Sequence, residues 1–168
     1  YRIMLSDLVV MTMCEQPLAD QKQIYAICEA ISRVNPEVKV IQTVFRPQPL
    51  APIINKKVFF ATTGPDLMNT TIQNYLEEHF DCEVVKISNY LANRKRLLED
   101  LDLAKGCFDL LLTELKAASV DVVTKVGLNS EKDVVYCDNA PLVVNGKDNL
   151  TEAMLGLAEK AKKNYKGD

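Results

Sequence analysis

KVFFATTGP, residues 57–65, reads as a short apolar strand, two hydroxyl residues, a glycine, and a proline that opens a helical pattern running to His79. The same order recurs downstream. EVVKIS at 83–88 precedes a polar stretch and a helical pattern from Arg94 to Lys105, and FDLLLT at 108–113 precedes one over 117–129. DVVYCD at 133–138 precedes an Ala- and Lys-rich pattern from Asn149 to Asn164, where Asn149 reads as an N-cap with Glu152 three residues on. Short apolar strands alternating with helices of about ten to fifteen residues are the signature of a parallel sheet covered on both faces. The expected fold class is therefore α/β, with strands and helices alternating around a mostly parallel sheet.

Upstream, LVVMTM at 8–13 is a further strand, and Ile24, Ile27, Cys28, Ile31 and Val34 recur at helical spacing after Pro17 and Asp20. Asn35-Pro36 stops that helix, because proline disfavours helical geometry in the residue before it. VKVIQTVF at 38–45 is strand-like again, which makes an N-terminal βαβ unit. Pro47, Pro49 and Pro52 then crowd RPQPLAPI at 46–53, and a stretch so poor in donors reads as a stiff extended connector outside the sheet. A domain boundary is expected there, joining the βαβ unit to a small α/β domain.

The chain has 168 residues, 48% hydrophobic and 26% charged, with 20 Lys and Arg against 23 Asp and Glu. That composition excludes disorder and collagen, and its longest apolar run is far short of a membrane span. A net charge of −3 argues against a general nucleic-acid binder. No signal-peptide pattern opens the chain, so the expected location is cytoplasmic, and a start at Tyr1 reads as part of something longer. Cys14, Cys28, Cys82, Cys107 and Cys137 form no C-x-x-C pair and each lies in or beside an apolar run, the pattern of buried reduced thiols. The single histidine, His79, falls in a last helical turn; alone it removes His-based zinc sites and most Ser-His or Cys-His nucleophile schemes. No protein metal site is expected.

Ligands of open parallel sheets bind beyond the carboxyl ends of the strands, where helix N-termini point their unpaired N–H groups. Every such exit here is polar: Thr62, Thr63 and Gly64; Ser88 and Asn89; Thr113 and Glu114 with Lys116 soon after; Asp138 and Asn139. Each residue taken singly reads equally well as a helix cap. Three cations stand near these exits. Arg46 follows a strand and is stiffened by Pro47, while Arg94 and Lys116 lie at helix starts, where a cation is electrostatically misplaced and calls for an anion. For Arg94, with Lys95 and Arg96, that anion is either a ligand or the acidic pair Glu99 and Asp100 one turn on. Neither G-x-x-x-x-G-K-[ST] nor G-x-G-x-x-G occurs in the chain.

Several strings together resemble the C-terminal part of the archaeal cyclic 2,3-diphosphoglycerate synthetases. They are DLVVMTMCEQP at 7–17, VNPEVKVIQTVFRPQPL at 34–50, KKVFFATTGP at 56–65, NRKRLLEDL at 93–101, LLTELKAASVDVVTKVGL at 111–128 and VVYCDNAPLVV at 134–144. The resemblance implies an enzyme that closes an intramolecular phosphoanhydride in 2,3-bisphosphoglycerate with ATP and magnesium. Its ATP site depends on a phosphate loop upstream of these residues, so the isolated chain is expected to be inactive alone and to need the missing N-terminal part of the same polypeptide. On this resemblance residues 1–50 are the terminal βαβ portion of a nucleotide-binding domain and residues 55–168 a small α/β domain. Arg46, Arg94 and Lys116 become candidate phosphate contacts and Thr62, Thr63 and Thr113 hydroxyl donors, with Glu114 and Asp138 orienting a cation or water. A homo-oligomer is expected, without nucleic acid or membrane partners. The competing reading is a non-catalytic module that binds a phosphorylated metabolite or mediates subunit assembly.

Overall fold

A computed structural model describes residues 1–115, 120–145 and 149–165. The chain divides into two compact units, Tyr1–Phe45 with Pro141–Asp168, and Arg46–Ala140. The fold class is α/β, with mostly parallel strand pairing. No helix among the described residues is long and apolar enough to cross a membrane.

In the first unit β1 (Leu8–Met11) pairs in parallel with the start of β2 (Lys39–Pro49), from Leu8 opposite Lys39 to Met11 opposite Gln42. Between them runs α1 (Gln21–Val34), started by a capping box: Asp20 accepts from the Gln23 amide at 2.6 Å, and the Gln23 side chain accepts from the Asp20 amide at 2.9 Å. Ile24 and Ile31 of α1 are buried, whereas Ile27 and Val34 are exposed, so the periodic apolar set covers more than one face. At the C-terminal end α5 (Leu150–Asn164) starts where the sequence places its cap, Asn149 accepting from the Glu152 amide at 3.1 Å. Lys160 of α5 pairs with Asp7.

In the second unit the strands are β3 (Lys57–Ala61), β4 (Glu83–Ser88), β5 (Leu110–Glu114) and β6 (Asp133–Val143, which returns to the first unit after Ala140). The order is β6-β5-β3-β4, with all three pairings parallel. Alternation of side chains along each strand sends Val58, Phe60, Leu110 and Leu112 to one face, packed under Leu76 of α2 (Asn69–Phe80). Phe59, Ala61 and Leu111 go to the other face, under Leu97 and Leu101 of α3 (Arg94–Leu103) and Val122 and Val123 of α4 (Val120–Asn129). Phe59, Phe60, Leu110, Leu111 and Leu112 are all nearly inaccessible, and each such side chain contributes about 1.5–3 kcal/mol on burial. The helix expected over 117–129 is observed from Val120; residues 117–119 lie outside the described residues.

The proline-bearing segment departs from expectation. Instead of leaving the sheet at Arg46, the chain continues β2 to Pro49, and the connector is the stretch 50–56. Strand geometry gives the reason. Even-numbered residues of β2 turn their backbone groups toward β6: the Gln42 carbonyl accepts from the Val144 amide at 3.0 Å, and the Leu50 amide donates to the Tyr136 carbonyl at 2.9 Å. Odd-numbered residues turn to the opposite edge, where the Thr43 carbonyl accepts from the Cys14 amide and where β1 pairing has ended at Gln42. Pro47 and Pro49 are odd, so their missing N–H groups fall on the edge that needs no donor.

Candidate functional site

In the second unit the chain leaves β3 for β4 on one side and later returns to place β5 on the other. Connections diverge between β3 and β5, and the crevice outside their carboxyl ends is where open α/β sheets bind ligands. Glu114, the last residue of β5, sits at that point and is 7% exposed.

Its carboxylate is held by four donors, three from the exit of β3 and one from Asn139; Asp138 and Asn139, expected at the exit of their strand, lie within it, because β6 runs on to Val143. Oε1 accepts from Thr62 Oγ1 at 2.6 Å and Asn139 Nδ2 at 3.0 Å; Oε2 accepts from the Thr63 amide at 3.0 Å and Thr63 Oγ1 at 2.9 Å. Thr62 Oγ1 in turn accepts from the Gly64 amide at 2.9 Å, which draws the loop after β3 into a tight turn over the strand end. The next exit joins through amides: Asn89 Nδ2 donates to the Gly64 carbonyl at 2.8 Å, and Asn69 and Asn89 exchange hydrogen bonds at 2.9 Å. A carboxylate offers about four acceptor positions, and all of them are filled here by protein donors. Glu114 therefore fixes the loop and leaves no position open for a cation, so magnesium does not fit at this carboxylate. Asp138, exposed at the same rim, accepts from the Asn139 amide at 2.9 Å. Among the described residues no group of three or more His, Cys, Asp or Glu side chains is placed to hold a metal.

The structure thus brings Thr62, Thr63 and Glu114 together and adds Asn139, Asn69 and Asn89. The sequence nominated Asn89 and Asn139 only as polar exits and did not nominate Asn69; an asparagine just inside a helix start was the available signal. The cations are placed apart. Arg46 is half-buried with its guanidinium 5.7 Å from the centre of the Tyr75 ring of α2, and Tyr75 stacks on His79 at 4.2 Å. Arg94 pairs with Asp121 of α4 through two hydrogen bonds of 3.0 and 2.9 Å. The guanidiniums therefore engage helices on opposite faces of the sheet. Of the acidic pair one turn on, Asp100 pairs with Lys86 at 3.4 Å. The hydrogen bonds from Arg94, with the charges of Arg94 and Lys125, hold the Asp121 carboxyl below its usual range. Lys116 lies outside the described residues.

Thr113 and Ser88 differ from the other hydroxyls. Both are fully buried, and neither side-chain oxygen has a hydrogen-bond partner. They stand opposite Ala61 from either side, in β5 and β4, and so share its α3/α4 face. Leaving a buried hydroxyl unpaired costs about 1–3 kcal/mol.

Comparison with known proteins agrees with this division of the chain. Residues 49–140 match the profile of the cyclic 2,3-diphosphoglycerate synthetase C-terminal domain, and residues 1–44 that of the P-loop domain of the same synthetase. Cyclic 2,3-diphosphoglycerate synthetases from Methanothermobacter thermautotrophicus, Methanosphaera stadtmanae and Rubrobacter xylanophilus are 45%, 40% and 39% identical over 96%, 98% and 100% of this chain. The chain belongs to the cyclic 2,3-diphosphoglycerate synthetase family. It spans about a third of these relatives, 35–37% of their length. The cluster around Glu114 lies wholly within the stretch matched by the synthetase C-terminal profile.

The thiols of this synthetase-family chain are all free, but they are less uniformly buried than expected: Cys14 and Cys137 are buried, Cys28 and Cys82 half-buried, and Cys107 exposed in the turn after α3. Burial pushes the Cys137 thiol up to about 12, with the charges of Glu114 and Asp138 adding to the rise, and burial with Glu77 pushes Cys82 up to about 11. Thiolate is the reactive form. Iodoacetamide at pH 8, followed by mass spectrometry, is expected to label Cys107 first and Cys137 last; simultaneous labelling of both in the folded chain would contradict this placement.

Proposed function

We propose that this chain is the C-terminal part of an ATP-dependent synthetase that closes the intramolecular phosphoanhydride of cyclic 2,3-diphosphoglycerate from 2,3-bisphosphoglycerate. The crevice at the β3–β5 divergence holds part of that acceptor. One observation carries the reading beyond family membership: Glu114 at the end of β5 locks the exit of β3 to Asn139 of the neighbouring β6, at the place where such a sheet binds ligands.

The reaction brings two highly charged phosphates together and activates one of them by phosphoryl transfer. That phosphoryl group would come from ATP when it is bound, and the string G-x-x-x-x-G-K-[ST] does not occur among these residues. Chemistry of this kind rests on positioning and on groups that offset developing charge. Thr62 and Thr63 are held by Glu114 so that the loop after β3 keeps one shape. Counting along antiparallel β2 and β6 from the Leu50–Tyr136 and Val144–Gln42 bonds sets Arg46 level with Ala140, at the rim beyond Glu114. Arg94 stands at the start of α3 on the other face. In this reading Arg46, Arg94 and Lys116 contact phosphate, Thr113 donates its hydroxyl, and Asp138 orients water or a cation at the open rim; Thr62 and Thr63, expected from the sequence as donors to the ligand, give their hydroxyl protons to Glu114 and shape the loop instead.

Calorimetric titration of the chain with 2,3-bisphosphoglycerate tests this. Expected is binding that weakens from low to moderate salt, is lost in Arg46→Ala and is kept in Lys160→Ala, whose side chain pairs with Asp7 in the other unit. No heat at low salt, or equal loss in both variants, would overturn the reading. Recovery of synthesis only on joining the upstream polypeptide would favour an enzyme part over a sensing module.

A further inference from the structure

The two sides of the switch-point crevice differ in polarity. On the α2 side the Glu114 carboxylate fills the donors of the loop after β3, and like charge keeps a second anion away. On the α3/α4 side, among the described residues, no carboxylate is hydrogen-bonded to the strand-end hydroxyls; Asp138 of β6, which by its parity with Val134 and Tyr136 belongs to this side, is exposed at the outer rim, and three features stand out. Ser88 and Thr113 present two fully buried, unpartnered hydroxyls, one on each side of Ala61. Both α3 and α4 follow strand carboxyl ends, so their N-termini lie over the end of the sheet that carries this pair. The N-terminus of ten-residue α3 also bears three successive cations, Arg94, Lys95 and Arg96, at the positive end of its dipole.

We infer that the α3/α4 side of the crevice is a subsite for a tetrahedral oxyanion, one phosphoryl group of the acceptor, closed in this conformation by the Arg94–Asp121 pair. The inference rests on the reading of the crevice as a phosphate site. Ser88 and Thr113 lie two strand spacings apart, about 9–10 Å between backbones, and the methyl of Ala61 is the only side chain between them in that row. A phosphoryl group offering an oxygen to each hydroxyl spans such a gap. Arg94 and Asp121 side chains are 58% and 43% exposed, so their pair is open to solvent and to exchange with another anion. A dianion offers the Arg94 fork the same two-oxygen geometry with twice the charge. Asp121 thus stands in for the ligand anion and leaves when it arrives.

Titration of the isotopically labelled chain with inorganic phosphate, followed by amide resonances, separates this from a purely structural role. Shifts that saturate at Ser88, Thr113, Arg94 and Asp121 are expected. Asp121→Asn is expected to raise phosphate affinity about fivefold by releasing Arg94, and Arg94→Ala to lower it at least tenfold. Thr113→Val and Ser88→Ala remove orphaned hydroxyls, so both are expected to need more denaturant to unfold yet to bind phosphate about fivefold more weakly. A packing role alone gives the first change without the second. Arg33→Ala, a surface cation paired with Glu29 on α1, controls for overall charge. Unchanged phosphate affinity in Thr113→Val and Ser88→Ala, or shifts confined to other residues, overturns the subsite. If phosphate behaves as expected but 2,3-bisphosphoglycerate binds no more tightly than phosphate, the subsite stands and the acceptor reading falls. If 2,3-bisphosphoglycerate binds with shifts on the α2 side alone, the subsite falls and the acceptor reading stands.

Discussion

Glu114→Ala is expected to lower the unfolding free energy by about 3–4 kcal/mol, a large effect for a single polar side chain. The carboxylate accepts four hydrogen bonds at 7% exposure, and its removal strands Thr62 Oγ1, the Thr63 amide and Asn139 Nδ2. Hydrogen bonds to a charged group contribute about 1.5–3 kcal/mol each, but the site opens at a rim, so water recovers part of the sum. Thr63 is exposed and its hydroxyl rehydrates outright. Glu114→Gln is expected to cost less, about 1–2 kcal/mol, because its amide keeps one acceptor oxygen and Asn139 can turn its own amide to meet the new donor. Urea unfolding of the three proteins gives the comparison, and exchange of the Thr63 amide should accelerate in the order parent, Gln, Ala. A Glu114→Ala protein within about 0.5 kcal/mol of the parent would mean that the strand exits hold one another without the carboxylate.

Which parts of this arrangement the sequence announced follows from the range over which sequence rules act. Apolar runs such as VFF and LLL mark strands buried on both faces, and Asn149 with Glu152 marks a helix start, because those signals are complete within a few residues. The continuation of β2 through Pro47 and Pro49 was illegible for the opposite reason: whether a proline breaks a ladder depends on which edge its nitrogen faces and whether a neighbour is there. The site divides in the same way. Thr62, Thr63 and Glu114 could be nominated from strand exits, but the bonds that join them span 51 and 52 positions, and Asn139 reaches Glu114 across 25. For Arg94 the sequence offers a ligand or an acidic pair one turn away, because helical rules look three or four residues along; Asp121, with which it pairs, lies 27 residues on, at the start of the neighbouring helix.

Gly127→Ala is expected to destabilise the chain by about 2–3 kcal/mol, although alanine is the better helix former by about 1 kcal/mol. Gly127 lies in the interior of α4, yet a methyl group there would come within 2.2 Å of Val134 Cγ2, 3.3 Å of the Lys132 carbonyl and 3.4 Å of Leu111 Cδ1. The cause is the tight return from α4 into β6. The Gly127 carbonyl accepts from the Ser130 and Lys132 amides at 3.2 and 2.9 Å, and Glu131 takes φ of 52° to complete the turn, which folds the start of β6 against the helix. Val134 is branched at Cβ and has little rotamer freedom, and the Lys132 carbonyl is backbone, so neither neighbour yields cheaply. Gly156 in α5 supplies the control: nothing lies within 4 Å of an added methyl, and Gly156→Ala is expected to gain about 0.5–1 kcal/mol from helix propensity and reduced unfolded-state entropy. Combining Gly127→Ala with Val134→Ala removes the closest clash. The pair is expected to be less destabilised than the sum of its members by about 1 kcal/mol or more in a double-mutant cycle. Strict additivity would locate the cost of the methyl at the Lys132 turn instead of at the strand beneath it.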